Sequence, residues 1–397
     1  VRHITVADRR GRRTAAPPLT GKPPERCGRA LFERLVAEGR LAIAPSALFQ
    51  SSPPARQGPV TRDRVRGMLL GLAIGDALGN TTESLWPWLR RFCVGEIRSY
   101  LPNWRALGRR VGLPSDDTQL AFWTVEQLIE DGHVDVDELA RRFVTRPIFG
   151  MGRSVRCFRR NIAAGLPWPE AAARSAGNGA LMRIAPVLLP HLSRPGADLW
   201  IDAALAAAIT HNDPASIAAS VAFVGMLWQL LGMQEAPAAD WWVDSYVAYA
   251  KSLEGSTRYR ARRGLMDWRP RAALNRPFEG PIWRFVEERL PAALRGGERT
   301  ATAARRWKSS AYLLETVPTA LFILAKHAPD PEEAIVRAVN DTYDNDTIGA
   351  IVGAAVGALH GEAALPRGWR ENLLGRTARA DDGRVFELLA AAERLVP

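Results

Sequence analysis

Cysteine is scarce in this chain of 397 residues: Cys27, Cys93 and Cys157 are the three, isolated and without C-x-x-C spacing. An odd, scattered set excludes a disulfide framework and a thiolate metal site, and the thiols are expected to be reduced. No uninterrupted apolar run approaches the roughly eighteen residues that a membrane span requires, so no membrane contact is expected. The Arg-rich start is followed by no apolar segment and does not read as a secretory signal, which makes cytoplasmic residence the expectation. Strand signals are equally thin. Alternating β-branched runs between turns are almost absent, and the fold class expected is all-α.

What the chain does have is apolar content, 47% hydrophobic residues, enough for a large core in one big domain or two ordinary ones. It also has a net charge of +11. Residues 1–60 carry eleven Lys or Arg against four acids, which accounts for +7 of it, and the remainder is only mildly basic. With no RNP-like or zinc-finger signature, solvated charge explains the balance better than a nucleic-acid partner. The division expected is a basic N-terminal extension over 1–60 and a helical domain over 61–397. Residues 1–27, with Pro17-Pro18 and Pro23-Pro24, lack periodicity and are expected to be mobile. Leu31, Leu35 and Val36 space a short amphipathic helix between Gly28 and Gly39, and Ser51 to Pro59 reads as a linker. The extension is either a tail with one docked helix or an arm that covers a partner or the site.

From Thr61 the pattern turns helical. Gly67, Gly71, Gly75 and Gly79 recur every fourth residue, and so do Gly349, Gly353, Gly357 and Gly361. Such spacing strips one helix face of side chains and lets backbones approach, so two central helices in close packing are predicted. Further helices are predicted near 116–131, 135–144, 154–164, 197–209, 214–232, 240–253, 281–294, 310–327, 331–339 and 384–394. The basic stretch Glu254 to Arg306 reads as a partly irregular excursion.

Two acidic clusters open apolar helices: Ser115-Asp116-Asp117-Thr118 and Asp344-Asn345-Asp346-Thr347. Ser and Asp are favoured helix caps, and one cluster alone reads that way. Two clusters offer four carboxylates and several hydroxyls, and like charges so crowded need a cation between them. An oxygen-only donor set suits Mg, Mn or Ca and argues against zinc. Three further segments could line a pocket: Gly150-Met151-Gly152, Gly177-Asn178-Gly179-Ala180-Leu181-Met182-Arg183, and Thr210-His211-Asn212-Asp213-Pro214. Glycines beside helix starts are where backbone N–H groups can hold phosphate.

With these pieces in order, from GLAIGDALG and the following Glu83 through SDDT, GMG, GNGALMR, THNDP and SAYLLETVPTA to DNDTIGA, the sequence resembles the ADP-ribosylglycohydrolase family. The resemblance runs from about Gly67 to Gly361. It implies a compact multi-helix domain with a two-metal centre, magnesium ahead of manganese, that hydrolyses the N- or O-glycosidic bond of ADP-ribose on a modified protein. It places the metal shell at Ser115, Asp116, Asp117, Asp344, Asp346 and Thr347. Glu83, Asp116 and Asp344 become the catalytic carboxylates. Asn178, Gly179, Met182, Arg183, His211 and Tyr312 would line the ADP-ribose pocket, with Gly150 and Gly152 at the diphosphate. Where many members carry Gly-Gly before the second cluster, this chain has Thr342-Tyr343, so a different backbone path is expected there. The partners implied are ADP-ribose or an ADP-ribosylated protein. The alternative is an immunity protein that occludes an ADP-ribosylating toxin through its extension.

Overall fold

The computed structural model describes residues 28–262 and 278–396, and the backbone of 4–7 and 13–16. The expectation of mobility over 1–27 falls largely outside the described residues. Within it Ile4–Ala7 pairs antiparallel with Arg13–Ala16; a second small ribbon pairs Tyr259–Arg260 with Glu279–Gly280. Everything else regular is helical, as the shortage of strand signals implied.

The α-helices are α1 (Gly28–Ala37), α2 (Arg62–Asn80), α3 (Pro87–Val94), α4 (Asp116–Asp131), α5 (Val136–Thr145), α6 (Arg153–Ala163), α7 (Trp168–Ala171), α8 (Asp198–Ala208) and α9 (Pro214–Leu230). They continue as α10 (Ala239–Glu254), α11 (Ile282–Arg295), α12 (Thr300–Trp307), α13 (Leu313–His327), α14 (Pro331–Asp341), α15 (Asn345–His360), α16 (Arg367–Glu371) and α17 (Arg384–Ala392). The ten predicted spans each fall on one of these within about three residues. Sequence periodicity misses α3, α7, α12 and α16, which are too short to display one.

The glycine repeats meet as the spacing predicts. A Cβ on Gly71 would collide with the carbonyl of Gly353, one on Gly75 with that of Gly349, and one on Gly67 would stand 2.6 Å from Glu362 N. Partner numbers fall as α2 numbers rise, so the two helices run antiparallel. This register carries the end of α2 to the start of α15, where Gly79 lies against Asp346. The glycines give up helix propensity, up to about 1 kcal/mol each against Ala, and close backbone packing offsets it. Around this pair α9, buried on nearly every face, lies against α8, α10, α13 and α15.

Residues 38–60 form a strap rather than a free linker. Trp200 Nε1 on α8 donates to Ser51 O at 2.8 Å, and Trp228 Nε1 on α9 donates to Pro54 O at 2.8 Å. The Arg56 guanidinium stands 4.0 Å over the Trp228 ring. At the strap's other end Asn212 clips the chain from both sides, accepting from Ala42 N at 2.8 Å and donating to Arg40 O at 2.7 Å. Ahead of it α1 buries Phe32 and Leu35 against α8.

Candidate metal centre

The antiparallel glycine pair fixes the centre of the site. Asp76, in the last turns of α2, is fully buried and accepts from Ser115 N at 2.9 Å and Thr118 N at 3.0 Å. One carboxylate thus satisfies two of the N-terminal donors of α4 that have no partner within their own helix. That frees the acids of α4 for other work. Ser115 does cap its helix, accepting from Asp117 N at 3.3 Å, and its hydroxyl donates to Asp117 Oδ2 at 2.9 Å. The other Asp117 oxygen is buried with no hydrogen-bond partner. Asp344, at the N-cap of α15, makes no capping bond with its side chain.

Carboxylates from α2, α4, the start of α15 and the loop after α2 converge. One ligand oxygen from each of Asp76, Asp117 and Asp346 lies within 4.8 Å of the others, and so does one from each of Glu83, Asp344 and Asp346. Asp346 belongs to both sets. The cluster grades from Asp76 in the interior to Glu83, which is exposed. Burial raises the proton affinity throughout, and repulsion between the acids adds to it at Asp346, Asp117, Asp116 and Glu83. Asp346 is pushed well up by burial and then by Asp117 and Asp344; Asp117 by burial and then by Asp76 and Asp116; Asp116 by burial and then by Asp76. Glu83 is raised by burial and then by Asp344 and Asp76. Asp344 is raised by burial against the opposing Asn178, whose Nδ2 donates to its Oδ2 at 2.6 Å.

An unpartnered buried oxygen on Asp117, a donor set made only of oxygens and stacked like charges fit a hard divalent cation. The Arg90 guanidinium feels the charge of Asp346. It is committed to carbonyls, donating to Val339 O at 2.9 Å, Thr342 O at 2.8 Å and Leu85 O at 3.0 Å. One buried side chain therefore ties the loop bearing Glu83 to the turn preceding Asp344. Burial drops its pKa to about 10, against the pull of Asp346 and Asp341. Thr342 and Tyr343 need no left-handed backbone, since the positive φ values near the site fall at Ser84, Lys308 and Ser309. The Tyr343 ring instead packs on Trp86 with centroids 5.0 Å apart.

The remaining candidates lie in concentric positions. Thr347 Oγ1 faces Met182 Sδ at 3.9 Å. Asn178 reaches Asp344 directly, and the chain at Gly177 pairs with Tyr312, whose half-buried ring lies under Arg262 at 4.7 Å. Gly150 has φ +58, and a Cβ there would stand 3.3 Å from Asp116 Oδ1. The Gly152 backbone also binds Asp116, so this turn grips a carboxylate in addition to any diphosphate role. His211 sits behind the glycine loop: a Cβ on Gly179 would be 2.9 Å from its Cε1. Arg183 is deeper still, donating to Thr210 Oγ1 at 2.9 Å and to Ala206 O at 3.1 Å, closed off from solvent. Thr210 in turn bonds His211 Nδ1 at 2.9 Å, and burial followed by the Arg183 charge lowers the imidazole pKa to about 3, which keeps it neutral.

Sequence reasoning passed over two of these residues. Asp76 was visible only as an acid interrupting an apolar glycine helix, and that interruption is itself the signal, because an acid on a helix buried all round must be paired or functional. Arg90 left no signal beyond its charge.

A helical body whose carboxylates meet where one helix ends and another begins has the donor groups to hold a metal ion. The chain belongs to the ADP-ribosylglycohydrolase family, whose model matches residues 57–396. It is similar to the ADP-ribosyl-[dinitrogen reductase] glycohydrolase of Rhodospirillum rubrum, 28% identical over 84% of this chain and 98% of that protein. It is also similar to the ADP-ribosylarginine hydrolase Tri1 of Pseudomonas putida, 27% identical over 78% of this chain and 74% of the relative. Human ADP-ribosylhydrolase ARH3 is 24% identical over 79% and 89%. Among solved structures, an ADP-ribosylglycohydrolase-related protein complex superposes with a TM-score of 0.58 at 27% identity, covering 84% of this chain and 97% of the other. The chain is thus a glycosidic-bond hydrolase by family. No described helix is long and apolar enough to cross a membrane.

Proposed function

We infer that this protein removes ADP-ribose from a modified protein by cleaving the glycosidic bond at C1 of the ribose. The observation that carries the reading is the shared carboxylate: Asp76, Asp117 and Asp346 on one side and Glu83, Asp344 and Asp346 on the other form two overlapping sets. Two cations, magnesium ahead of manganese, suit that arrangement, held by these acids with Thr347 and Ser115 at the rim. Such ions, when bound, supply Lewis acidity towards ribose hydroxyls and a more acidic water.

The chain's own groups account for the rest. In the reaction the C1–N or C1–O bond breaks, a water oxygen joins C1, and one proton passes to the departing atom. Glu83 is the exposed acid of the cluster and binds a proton more tightly than a free glutamate, so it suits the exchange with water or leaving group. Asp344, oriented by Asn178, and Asp116, held by the turn at Gly152, place negative charge beside an oxocarbenium-like C1. The loop at Gly177 to Gly179, backed by the neutral His211, offers uncharged wall for the nucleotide. The toxin-occluding alternative leans on the N-terminal extension, and the described part of that segment packs onto the protein's own helices.

Two of the relatives are named for ADP-ribosyl arginine or ADP-ribosyl dinitrogen reductase, so ADP-ribosyl-arginine is the first substrate to try. Release of free ADP-ribose should require added magnesium and vanish in Asp346→Asn, with calorimetric cation binding lost alongside. Release at an undiminished rate in that variant, or in excess chelator, would overturn the reading.

A further inference from the structure

Exposed apolar side chains on this protein are concentrated beside the site. Seven large hydrophobic residues are exposed among the described residues, and six of them, Trp86, Trp88, Phe92, Val94, Trp104 and Leu107, fall within one short stretch of chain. That stretch begins three positions after Glu83. Phe92 is 84% exposed, Trp104 80% and Leu107 95%, values that an ordinary surface position does not require of such side chains. Leu107 is moreover held in the left-handed region at φ +56, a conformation a leucine adopts at some energetic cost.

Two anchors place this apolar stretch at the mouth of the acid cluster. Helix α3, carrying Trp88 and Phe92 one helical turn apart on the same face, is fixed by Arg90 to the turn that leads into Asp344. The turn carrying Trp104 and Leu107 hangs from Thr81, two residues before Glu83, through Asn103 Nδ2 to Thr81 Oγ1 at 3.3 Å. Around these residues the charge is mostly positive; the one acid between them, Glu96, is exposed and pairs with Arg91 at 3.7 Å, with Arg98 and with Arg337. Residues 84–95 and 101–114 contain no acid, while Arg91, Arg105, Arg109 and Arg110 are all exposed.

We propose that this aromatic and basic rim is the docking surface for the polypeptide that carries the ADP-ribose, and that it selects modified residues lying in acidic, partly apolar surroundings. This rests on the hydrolase reading above. Trp, Phe and Arg are the residues that anchor protein interfaces, and Arg105, Arg109 and Arg110, which pair with no acid among the described residues, complement an acidic partner. A single-stranded nucleic acid would use the aromatic faces as well, those of Trp88 and Phe92 included, but the aliphatic Leu107 and Val94 offer nothing to stack a base upon.

The test uses the full chain and three probes: ADP-ribosyl-arginine, a fluorescent acidic peptide with one ADP-ribosylated arginine, and the same peptide without ADP-ribose. Trp88→Ser/Phe92→Ser/Trp104→Ser changes only exposed side chains, and unchanged melting confirms the fold. The triple variant is expected to raise KM for the modified peptide tenfold or more and to leave kcat/KM for ADP-ribosyl-arginine within twofold. Arg105→Glu/Arg109→Glu is expected to do the same at low salt and less at high salt. An equal fall on both substrates, or none on the peptide, would overturn the proposal. So would tighter aromatic-dependent binding of a single-stranded oligonucleotide than of the peptide, or a dimer of the wild type that the triple variant abolishes. Anisotropy of the unmodified peptide reads the surface without the chemistry, so a wild type that hydrolyses nothing yet binds this peptide would refute the hydrolase reading and leave the docking standing.

Discussion

Replacing Gly75 by alanine should weaken cation binding as well as the fold, while the same change at Gly67 should weaken the fold alone. A Cβ on Gly75 would land on the Gly349 carbonyl and 2.9 Å from Ala350 N, where about 3.5 Å is the ordinary contact distance. The backbones must part by roughly an ångström to admit it, and overpacking of this kind costs about 1–3 kcal/mol. Unfolding entropy near 2.1 cal/mol/K per residue over the 397 residues is about 0.8 kcal/mol/K, so a loss of 3 kcal/mol lowers Tm by about 4 °C. Gly67 meets Glu362 N at 2.6 Å and predicts a similar shift.

The two positions separate at the site. Asp76 follows Gly75 directly, and its partner in the cluster, Asp346, rides on the opposite helix. Cation ligands tolerate displacements of only about 0.2 Å, so parting the helices at this end should weaken cation binding at least tenfold. At the Gly67 end the same separation falls about two turns away and should leave affinity within a factor of about three. Calorimetric titration with magnesium and a thermal melt of each variant decide the matter. Unchanged affinity in Gly75→Ala despite a lowered Tm would refute the claim that helix register positions the acids.

Asp346→Asn removes a carboxylate raised by burial and its neighbours, so the metal-free protein should melt a few degrees higher than wild type while the gain on adding magnesium disappears; a retained gain would contradict the ligand role. Arg90→Gln abandons the carbonyls of Val339, Thr342 and Leu85 and should cost about 3 kcal/mol and weaken magnesium binding together, read by melting and titration. Glu254 accepts from Ile282 N at 2.6 Å at the start of α11, and burial raises its pKa to about 7 from 4.5. The folded state therefore binds a proton that the unfolded chain gives up between pH 4.5 and 7, so this stability is full in acid and lost as pH rises through 7, amounting to about 3 kcal/mol. Melts of Glu254→Gln across pH 5–8 should show a flatter slope than wild type. Deleting residues 1–27 should leave hydrolysis of ADP-ribosyl-arginine intact; deleting 1–56 should abolish soluble, active protein, and full activity in the shorter chain would show the strap to be dispensable.

The N-terminal extension, read from sequence as either a tail with one docked helix or an arm over a partner or the site, illustrates what a sequence can and cannot carry. Periodicity found nearly every long helix, because burial on one face imposes a spacing that survives in the residue order. The glycine repeats announced a backbone contact, and the structure supplies the fact that spacing alone lacks, an antiparallel register that makes Asp76 the neighbour of Asp346. The acids of α4 and α15 were legible because they arrive in local pairs. Asp76 was not, since its companions are Ser115 and Thr118, some forty residues away.

Nor could composition place the strap. Ser51 to Pro59 has the residues of a linker, and its attachment lies in single donors from distant helices, the indole N–H groups of Trp200 and Trp228. A buried indole N–H left unpaired costs about 1–3 kcal/mol, and Phe32, Leu35, Leu41 and Phe49 each bury an apolar side chain on the same body. Those contributions together approach the whole stability of a typical domain. The clip by Asn212 adds a functional consequence, because His211 precedes it and Asp213 caps α9 just after it. Freeing Ala42 and Arg40 would loosen the turn whose imidazole backs the Gly177 to Gly179 loop, and that loop carries Asn178 to Asp344. The N-terminal strap therefore reaches the acid cluster through three successive contacts, from the strap to Asn212, from His211 to the glycine loop and from Asn178 to Asp344, and its basic composition says nothing about that connection.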